Sequence, residues 1–432
     1  MRMIGLILVR VAMAAAICLS APPRVSACSG DCDQDCSVDV AEIVVAIQVA
    51  LGEQPTTRCA AADRDGSGTV AVDEILAALQ VALSGCDHVL SFDAPLLHAS
   101  GDGPRSLAIA DLNGDGWPDV AAANHASHDL SVLLNDGTGT LLPHSLYAVG
   151  RVPLGVATAD FDGNGAADIA TSNGGTGNVT ILLGNGDGSL RHHREFSAAA
   201  GARTILAADV DRNATVDLVI AAPGAAGVAI LLGRGDGNFD RVVLGGNFRP
   251  WWIAWRDVTG DLLPDLVSAN GDSKDVTVLA ALSAGGFVPR SRLTLMHPPF
   301  SVAVADFERD SFADLVTGNG RDDNLALVYG RAGGFAAPVL LPAGDGPYPV
   351  EAIDIDSDAL VDIVATNEQS GDISILLGHG DGSFASQQRF DLGRLPYALA
   401  IADLNRDGGL DLIGALGGSD QIVVRIRSSC AR

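Results

Sequence analysis

The stretch ADLNGDGWPD, residues 110–119, carries oxygen-bearing side chains at Asp111, Asn113, Asp115 and Asp119. Counted from Asp111, these are positions 1, 3, 5 and 9 of a short loop. Alternate residues of a tight loop can direct their oxygens inward, and calcium prefers six to eight oxygen ligands. The stretch therefore predicts a calcium-binding loop, and the surrounding sequence shows that it is one copy of a repeat.

The same pattern occurs seven times, and the first aspartates of successive copies lie 48 or 49 residues apart. These aspartates are Asp111, Asp160, Asp209, Asp257, Asp306, Asp354 and Asp403. A fixed period of just under 50 residues indicates an architecture built from repeated structural units.

Each period contains four short apolar segments separated by Gly, Asn and Asp, which are strand and turn signals. Four strands per repeat are typical of a propeller blade. We therefore predict an all-β fold, a seven-bladed propeller over residues 88–432. The last copy lacks a fourth strand, whereas Phe92 stands where the fourth strand of a blade begins. We expect residues 88–99 to complete blade 7 by pairing with residues 421–426, because closure removes exposed strand edges.

Calcium ligands are predicted at positions 1, 3, 5 and 9 of every loop, although Asp and Asn also commonly cap turns without binding a metal. Thr259, Glu308 and Asn213 depart from the best ligand chemistry, so the fourth, fifth and third sites should be weaker. The candidate ligands are Asp111, Asn113, Asp115 and Asp119; Asp160, Asp162, Asn164 and Asp168; Asp209, Asp211, Asn213 and Asp217; Asp257, Thr259, Asp261 and Asp265; Asp306, Glu308, Asp310 and Asp314; Asp354, Asp356, Asp358 and Asp362; and Asp403, Asn405, Asp407 and Asp411.

These loops, together with hairpins such as LLGNGDGSL (182–190) and LLGHGDGSF (376–384), resemble the FG-GAP or VCBS repeat family. That family includes the propeller of integrin α-subunits and of many secreted bacterial proteins. The resemblance covers residues 88–432. It implies that each loop joins the first two strands of a blade and binds calcium, although integrins use only some blades for this.

The first 27 residues have the features of a signal peptide. Arg2 precedes an apolar run, and small residues at 25–27 offer a cleavage site before Cys28. The alternative is a lipid anchor on Cys28, which Arg24 disfavours. Elsewhere the chain lacks the ~20 apolar residues of a membrane span. The sequence thus predicts a protein that is secreted or held at the cell surface.

Residues 28–87 are predicted to form a second unit with two 12-residue loops, 31–42 and 63–74, each followed by an apolar helix. The loops look like paired EF-hand loops. Their candidate ligands are Asp31, Asp33, Asp35, Asp39 and Glu42 in the first loop, and Asp63, Asp65, Ser67 and Glu74 in the second. Cys36 replaces the usual glycine, which puts the first site in doubt. With the propeller, up to nine calcium ions are expected.

No helix is predicted before the first loop, so the pair resembles a dockerin module, although the cysteines are foreign to dockerins. The resemblance implies a cohesin-like partner. The alternative is a small calcium-stapled cap on the propeller.

Removal of the signal peptide leaves six cysteines, and an even number in an exported chain suggests disulfides. Mapping the last blade onto its neighbour predicts a Cys86–Cys430 disulfide, while pairing among Cys28, Cys32, Cys36 and Cys59 stays open. For Cys28, Cys32 and Cys36 the alternative is metal binding as thiolates.

A further set of residues lies six positions before each first aspartate and should ring the mouth of the central channel. The set is Arg105, Leu154, Arg203, Trp251, Phe300, Tyr348 and Tyr397. The aromatic members, Trp251, Phe300, Tyr348 and Tyr397, are the candidate ligand-binding residues, because aromatic rings stack on sugars or anchor partner side chains. The alternative is that they are wedges between blades.

The formal net charge of −26 excludes nucleic acid as a partner, since that requires clustered Lys and Arg. We expect a secreted, calcium-binding adhesion or recognition module for an extracellular glycan or protein. One alternative is a polysaccharide-acting enzyme, because some polysaccharide lyases resemble this propeller. However, the chain has neither GxSxG nor HExxH, and none of its histidines recurs in register. Another alternative is a dockerin-tethered component of an extracellular assembly.

Overall fold

The computed structural model describes residues 40–51, 70, 75, 90–225, 227–245, 248–283 and 286–428. The chain divides into two units, and the larger one, Phe92–Arg427, is the repeat region. This unit is an all-β propeller of seven four-stranded antiparallel sheets, which confirms the predicted fold.

The strands of a blade run in sequence order from the inside of the ring outward. The first strands are β2 (Pro104–Ala110), β6 (Pro153–Ala159), β10 (Ile205–Ala208), β14 (Trp252–Arg256), β18 (Ser301–Ala305), β24 (Pro347–Ile353) and β28 (Pro396–Ala402). The second strands are β3 (Asp119–Asn124), β7 (Asp168–Asn173), β11 (Asp217–Ala222), β15 (Asp265–Asn270), β19 (Asp314–Asn319), β25 (Asp362–Asn367) and β29 (Asp411–Leu416). The first strands contact one another in turn around the ring, so they surround the central channel.

The two outer strands complete each sheet. The third strands are β4 (Asp129–Leu133), β8 (Asn178–Gly184), β12 (Gly227–Gly233), β16 (Asp275–Ala281), β20 (Asn324–Val328), β26 (Asp372–Leu376) and β30 (Gln421–Arg425). The fourth strands are β5 (Ser145–Ala148), β9 (Leu190–Ser197), β13 (Phe239–Gly245), β17 (Phe287–Thr294), β23 (Val339–Pro342), β27 (Gln388–Asp391) and, from the start of the propeller, β1 (Leu96–Ala99). Blade 5 adds a small hairpin, β21 (Gly330–Arg331) with β22 (Gly334–Phe335), and a 3-10 turn at Pro223–Ala225 follows β11.

The ring closes as the sequence predicts. Strand β1 pairs antiparallel with β30, and Leu96 lies opposite Val424. An isolated bridge joins Phe92 to Arg427, equivalent to the bridge between Phe384 and Gly378 in blade 6. The segment before the first full repeat therefore supplies the missing strand of the last blade and covers the open edge of β30.

The core lies between the blades rather than within any one of them. Six clusters of buried apolar side chains each join two adjacent blades. Between blades 5 and 6, for example, Leu327 of one blade packs with Val350 and Ile363 of the next. All seven second strands are fully buried because a sheet covers each of their faces, whereas the outermost strands are largely exposed. The fourth strands do not alternate strictly in polarity, since Leu96 and Leu97 of β1 and Val339 and Leu340 of β23 are adjacent exposed apolar residues.

The smaller unit is described only in part. Helix α1 (Val40–Ala50) packs Ala46 and Val49 against Val70. The helix coincides with the apolar segment predicted after the first EF-hand-like loop. The predicted signal peptide, most of both predicted EF-hand-like loops and the cysteines at 86 and 430 lie outside the described residues. Within the described part of the chain, no helix combines the length and apolarity that spanning a bilayer requires.

Candidate metal-binding loops and channel mouth

The first aspartate of each loop organises the loop backbone. In all seven copies, the N–H of the residue at position 6 donates to Oδ2 of the first aspartate over 2.8–3.0 Å. In the first loop these residues are Gly116 and Asp111, and Gly114 donates to the other carboxylate oxygen. The aspartate thus holds the chain in a tight turn around its own carboxylate.

Position 6 adopts a left-handed backbone conformation in every loop, with φ between 66° and 89°. Glycine tolerates this conformation freely, but four copies place Ala214, Leu262, Ser311 or Ala359 there. Such residues pay a conformational cost of about 1–2 kcal/mol. The absence of a glycine at position 6 therefore does not distinguish the third loop from the fourth, fifth and sixth.

The aspartate at position 9 joins two strands, a role that the sequence pattern does not reveal. All seven are fully buried. One carboxylate oxygen accepts the N–H of position 2 over 2.7–2.9 Å. The other accepts an N–H at the end of the third strand over 2.7–2.8 Å, as from Gly184 to Asp168. Each aspartate therefore fixes its loop to the third strand of its own blade.

Positions 5 and 3 differ in how strongly the loop uses them. At position 5 the side-chain oxygen accepts the N–H of position 7 over 2.6–2.9 Å in every copy. This is the turn-capping role of Asp and Asn. At position 3 the side-chain oxygen accepts the N–H of position 5 in five copies, over 3.0–3.3 Å, but no such bond forms in the fourth and fifth loops, both of which the structure describes, where the residue is Thr259 or Glu308. Position 3 is thus the ligand position least tied to the fold.

Three loops bring three carboxylates together. One oxygen from each of Asp160, Asp162 and Asp168 lies within 4.8 Å of the others, and the same holds for Asp209, Asp211 and Asp217, and for Asp354, Asp356 and Asp358. Calcium binds oxygen at about 2.3–2.6 Å, so two ligands of one ion lie at most about 5 Å apart. These groups have the oxygen chemistry and the spacing that a calcium ion requires.

The electrostatics of the buried aspartates point the same way. Burial raises the pKa of Asp168 to about 6 and of Asp362 to about 7. Bonds from backbone N–H groups lower both pKa values, whereas the neighbouring carboxylates at positions 1, 3 or 5 raise them further. Like charges this close repel each other unless a cation offsets them.

The third and fifth loops, both predicted to bind calcium more weakly, differ in the arrangement of their carboxylates. In the fifth loop Arg331 forms ion pairs with Glu308 and, at 3.4 Å, with Asp310, so an arginine already occupies two candidate ligands. The third loop, by contrast, draws three carboxylates together as closely as the second and sixth. The expected weakness is supported by geometry for the fifth loop and not for the third.

The opposite edge of each blade, where the first strand begins and the second ends, carries the predicted channel mouth. Here Asn124, Asn173, Asn270, Asn319 and Asn367 end their second strands and are fully buried. Their amides are used internally: Asn124 donates to Asp129 and Ser131, and Asn270 donates to Asp275 and Thr277. These residues shape turns and do not present their amides to a ligand.

The aromatic residues of the mouth pack on one another and on arginines. Trp251 and Phe300 of adjacent blades meet edge to face, with ring centroids 5.1 Å apart. The guanidinium carbon of Arg203 lies 3.9 Å from the Trp251 ring centroid, and that of Arg105 lies 4.1 Å from the Tyr397 ring centroid. All five side chains are half-buried. They therefore combine the wedge role with partial exposure at the mouth.

Tyr397 also shows why one turn requires glycine. A Cβ on Gly417 would lie 2.3 Å from the Tyr397 ring, closer than any real contact. The missing side chain therefore leaves room for the ring on which Arg105 stacks.

Tyr348 reaches across the ring. Its ring centroid lies 5.6 Å from that of Trp252, although the two residues belong to blades 6 and 4. Burial raises the pKa of its hydroxyl, and the charges of Arg105 and Arg203, from blades 1 and 3, oppose that rise. Side chains from four blades thus act on one another at the mouth.

Glu351 is a channel residue that the pattern analysis missed. It lies on the inner strand β24, three positions before a first aspartate, where the other six blades have Ala or Leu. The sole acid at an otherwise small apolar position is the signal that could have revealed it. Protein surrounds the side chain although part of its surface remains accessible, and no described residue forms a hydrogen bond or ion pair with it. Burial raises its pKa to about 7.

This pKa makes stability depend on pH through Glu351. Since the folded pKa exceeds the ordinary value of 4.5, the folded state binds the proton more tightly, and stability falls as pH rises from about 4.5 to 7. We expect Glu351→Gln to stabilise the protein by about 1–3 kcal/mol at pH 8 and hardly at pH 5. Thermal melts at both pH values measure this, with exposed Glu195→Gln as the control. Equal shifts at both pH values would contradict the assignment.

Comparison with known proteins agrees with this architecture. Residues 111–171 and 354–414 match the model of the FG-GAP-like repeat. Both segments start at the first aspartate of a loop, in blades 1 and 6. The chain is thus a seven-bladed β-propeller that contains FG-GAP-like repeats. No curated protein matches the chain.

Several solved structures share the fold. BBS1N in complex with ARL6DN, soaked with lead, matches with a TM-score of 0.58 and 12% identity over 80% of this chain and 98% of that chain. Hydrazine synthase of Kuenenia stuttgartiensis matches with a TM-score of 0.56 and 12% identity, over 77% of this chain and 97% of that chain. A catalytically inactive virginiamycin B lyase from Staphylococcus aureus with quinupristin matches with a TM-score of 0.55 and 11% identity, over 78% of this chain and 99% of that chain. At these identities the likeness concerns the fold alone.

Proposed function

We propose that this protein is an exported recognition module in which calcium holds one face of a propeller and the opposite face binds an extracellular glycan. The observation that carries the proposal is the mouth itself, where half-buried aromatic rings and two arginines converge. Aromatic faces stack on sugar rings and contribute strongly where they are already held rigid.

Calcium in this proposal is structural. The loops would supply the oxygens of positions 1, 3, 5 and 9, with the second, third and sixth loops favoured because three carboxylates already converge there. When bound, the ion supplies positive charge that offsets the repulsion among those carboxylates. Bound calcium would stabilise the loop conformation that the structure shows. Because the loops and the channel mouth lie at opposite edges of the same blades, it would also stabilise the arrangement of the mouth.

Binding of a glycan is tested by retention of the full chain on a panel of immobilised polysaccharides in calcium. We expect retention on at least one polymer and a loss of at least tenfold in affinity for Trp251→Ala combined with Tyr348→Ala. Leu97→Ala, an exposed residue on the outer strand β1, is the control and should bind normally.

The same incubation is assayed for new chain ends. Release of chain ends would replace the binding proposal with the alternative enzyme, a polysaccharide lyase or hydrolase. Absence of retention on every polymer would contradict the glycan proposal and favour a protein ligand.

The proposals for the N-terminal region rest on its sequence. A signal peptide over residues 1–27 would place the propeller outside the cell. The EF-hand-like pair over residues 28–87 would bind two further calcium ions, and its dockerin-like features would recruit a cohesin-like partner. Capture of a cohesin by the full chain, lost when Glu74 is changed to Ala, would support that role.

A further inference from the structure

Two half-buried arginines at the channel mouth stack on aromatic rings without an acidic partner in the described part of the chain. Arg191, Arg292 and Arg389 all form ion pairs with aspartates. Among the described residues, by contrast, the guanidiniums of Arg105 and Arg203 form no hydrogen bond or ion pair, and each contacts only an aromatic face. Other described arginines without such partners, for example Arg151 and Arg290, are exposed to solvent, whereas Arg105 and Arg203 are half-buried.

The two guanidiniums belong to the same opening. Both charges act on the hydroxyl of Tyr348, and burial lowers the pKa of Arg203, with a smaller lowering from the charge of Arg105. Stacking on Trp251 and Tyr397 orients each planar guanidinium and leaves its edge, with the N–H donors, available. Trp251 adds a buried indole N–H that has no hydrogen-bond partner among the described residues.

Nearby acids do not neutralise this rim. Glu368 is close enough to Arg105 for their charges to interact, yet it forms no ion pair with it. Asp272 acts on Arg203, but its carboxylate already lies 3.9 Å from Arg249. His125 is another titratable neighbour, and burial and the charge of Arg105 lower its pKa, which favours the neutral form. The guanidiniums of Arg105 and Arg203 are therefore not neutralised by an ion pair with any described residue and offer free donors to an incoming anion.

The chemistry of the rim selects the kind of anion. A planar guanidinium pairs with a planar carboxylate through two parallel hydrogen bonds. The adjacent aromatic faces suit the C–H face of a pyranose ring. A sugar acid, or uronate, carries both a carboxylate and a pyranose C–H face on one sugar unit.

We propose that the mouth binds a uronate-containing glycan, with the carboxylate held by Arg105 and Arg203 and the sugar ring against the neighbouring aromatic side chains. This inference rests on the proposed glycan-binding function and narrows it to acidic chains. It assigns the two arginines as specificity-determining residues, and neither forms part of a metal loop.

The test compares galacturonic acid hexamer with its methyl ester, which has the same ring and linkage without the charge. Binding to the full chain in calcium is followed by calorimetry and by tryptophan fluorescence, since Arg203 stacks on Trp251. We expect the acid to bind at least tenfold more tightly than the ester. Arg105→Gln with Arg203→Gln should abolish that preference, and the double lysine variant should restore part of it. Arg234→Gln, an exposed ion-paired arginine of a hairpin at the opposite edge of blade 3, makes the same kind of charge change and should bind normally.

The outcomes separate the two proposals. Equal binding of acid and ester, unaffected by the arginine variants, would overturn the acidic-glycan inference and leave glycan recognition standing. If a poly-glutamate peptide bound in an arginine-dependent way and neither hexamer bound, the ligand of the two arginines would be an acidic peptide, and the proposal of a uronate-containing glycan would be wrong. Failure to bind either hexamer, together with no retention on any polysaccharide, would overturn both proposals.

Discussion

Removal of calcium should lower the melting temperature of the full chain by roughly 5–15 °C. A ligand that binds only the folded state at 100 times its Kd adds about 2.7 kcal/mol per site. Two occupied loops thus raise the free energy of unfolding by about 5 kcal/mol. The unfolding entropy of a unit the size of Phe92–Arg427 is about 0.7 kcal/mol/K, so this corresponds to a shift of about 7 °C. More occupied loops give a larger shift.

The measurement is thermal melting in excess calcium and in EDTA, followed by addition of calcium or magnesium. Calcium should restore the melting temperature, and magnesium should restore little of it, because magnesium demands octahedral geometry at about 2.1 Å. High salt is the control for general charge repulsion, since the chain carries a net charge of −26. An identical melting temperature in calcium and EDTA would contradict the proposal that the loops bind calcium.

Most of the fold could be predicted from the sequence because it is a repeat. Seven copies average out the weak strand signal of any single segment, and the fixed distance to each first aspartate aligns the strands across blades. The closure of blade 7 followed from the same register: Phe92 matched the other fourth-strand residues, and it indeed bridges to Arg427.

The site was predictable only where it repeats. The repeat places Asp168 among the predicted calcium ligands, but its bond to Gly184 depends on pairing between strands, which spacing alone does not show. The same limit applies to the mouth. Arg105 and Arg203 could be placed at the rim by register, whereas their lack of acidic partners depends on side chains from several blades. Glu351 departs from the repeat, and a search for regularity passes over such residues.

The roles of the aspartates can be separated within one loop. Asp168→Ala would leave two buried backbone N–H groups, of Phe161 and Gly184, without their acceptor. Each unsatisfied group costs about 1–3 kcal/mol, and removal of a buried carboxylate whose pKa is raised to about 6 offsets part of this. We expect a net loss of about 2–4 kcal/mol at pH 7.5, present with calcium and with EDTA alike.

Asp162→Ala is the matched control. Asp162 accepts the N–H of Asn164 over 3.2 Å, but Asp160 also accepts that N–H over 3.1 Å, and the other partner of Asp162 is exposed Arg191 at 3.3 Å. The effect of the substitution should appear in calcium, where a ligand is lost, and nearly vanish in EDTA, because the Asn164 N–H keeps an acceptor and an exposed ion pair contributes about 0–1 kcal/mol. Thermal or urea melts of both variants under both conditions give the four values needed. If the loss in Asp168→Ala disappeared in EDTA, position 9 would act only as a metal ligand. If the loss in Asp162→Ala persisted in EDTA, position 3 would be as much a part of the fold as position 9.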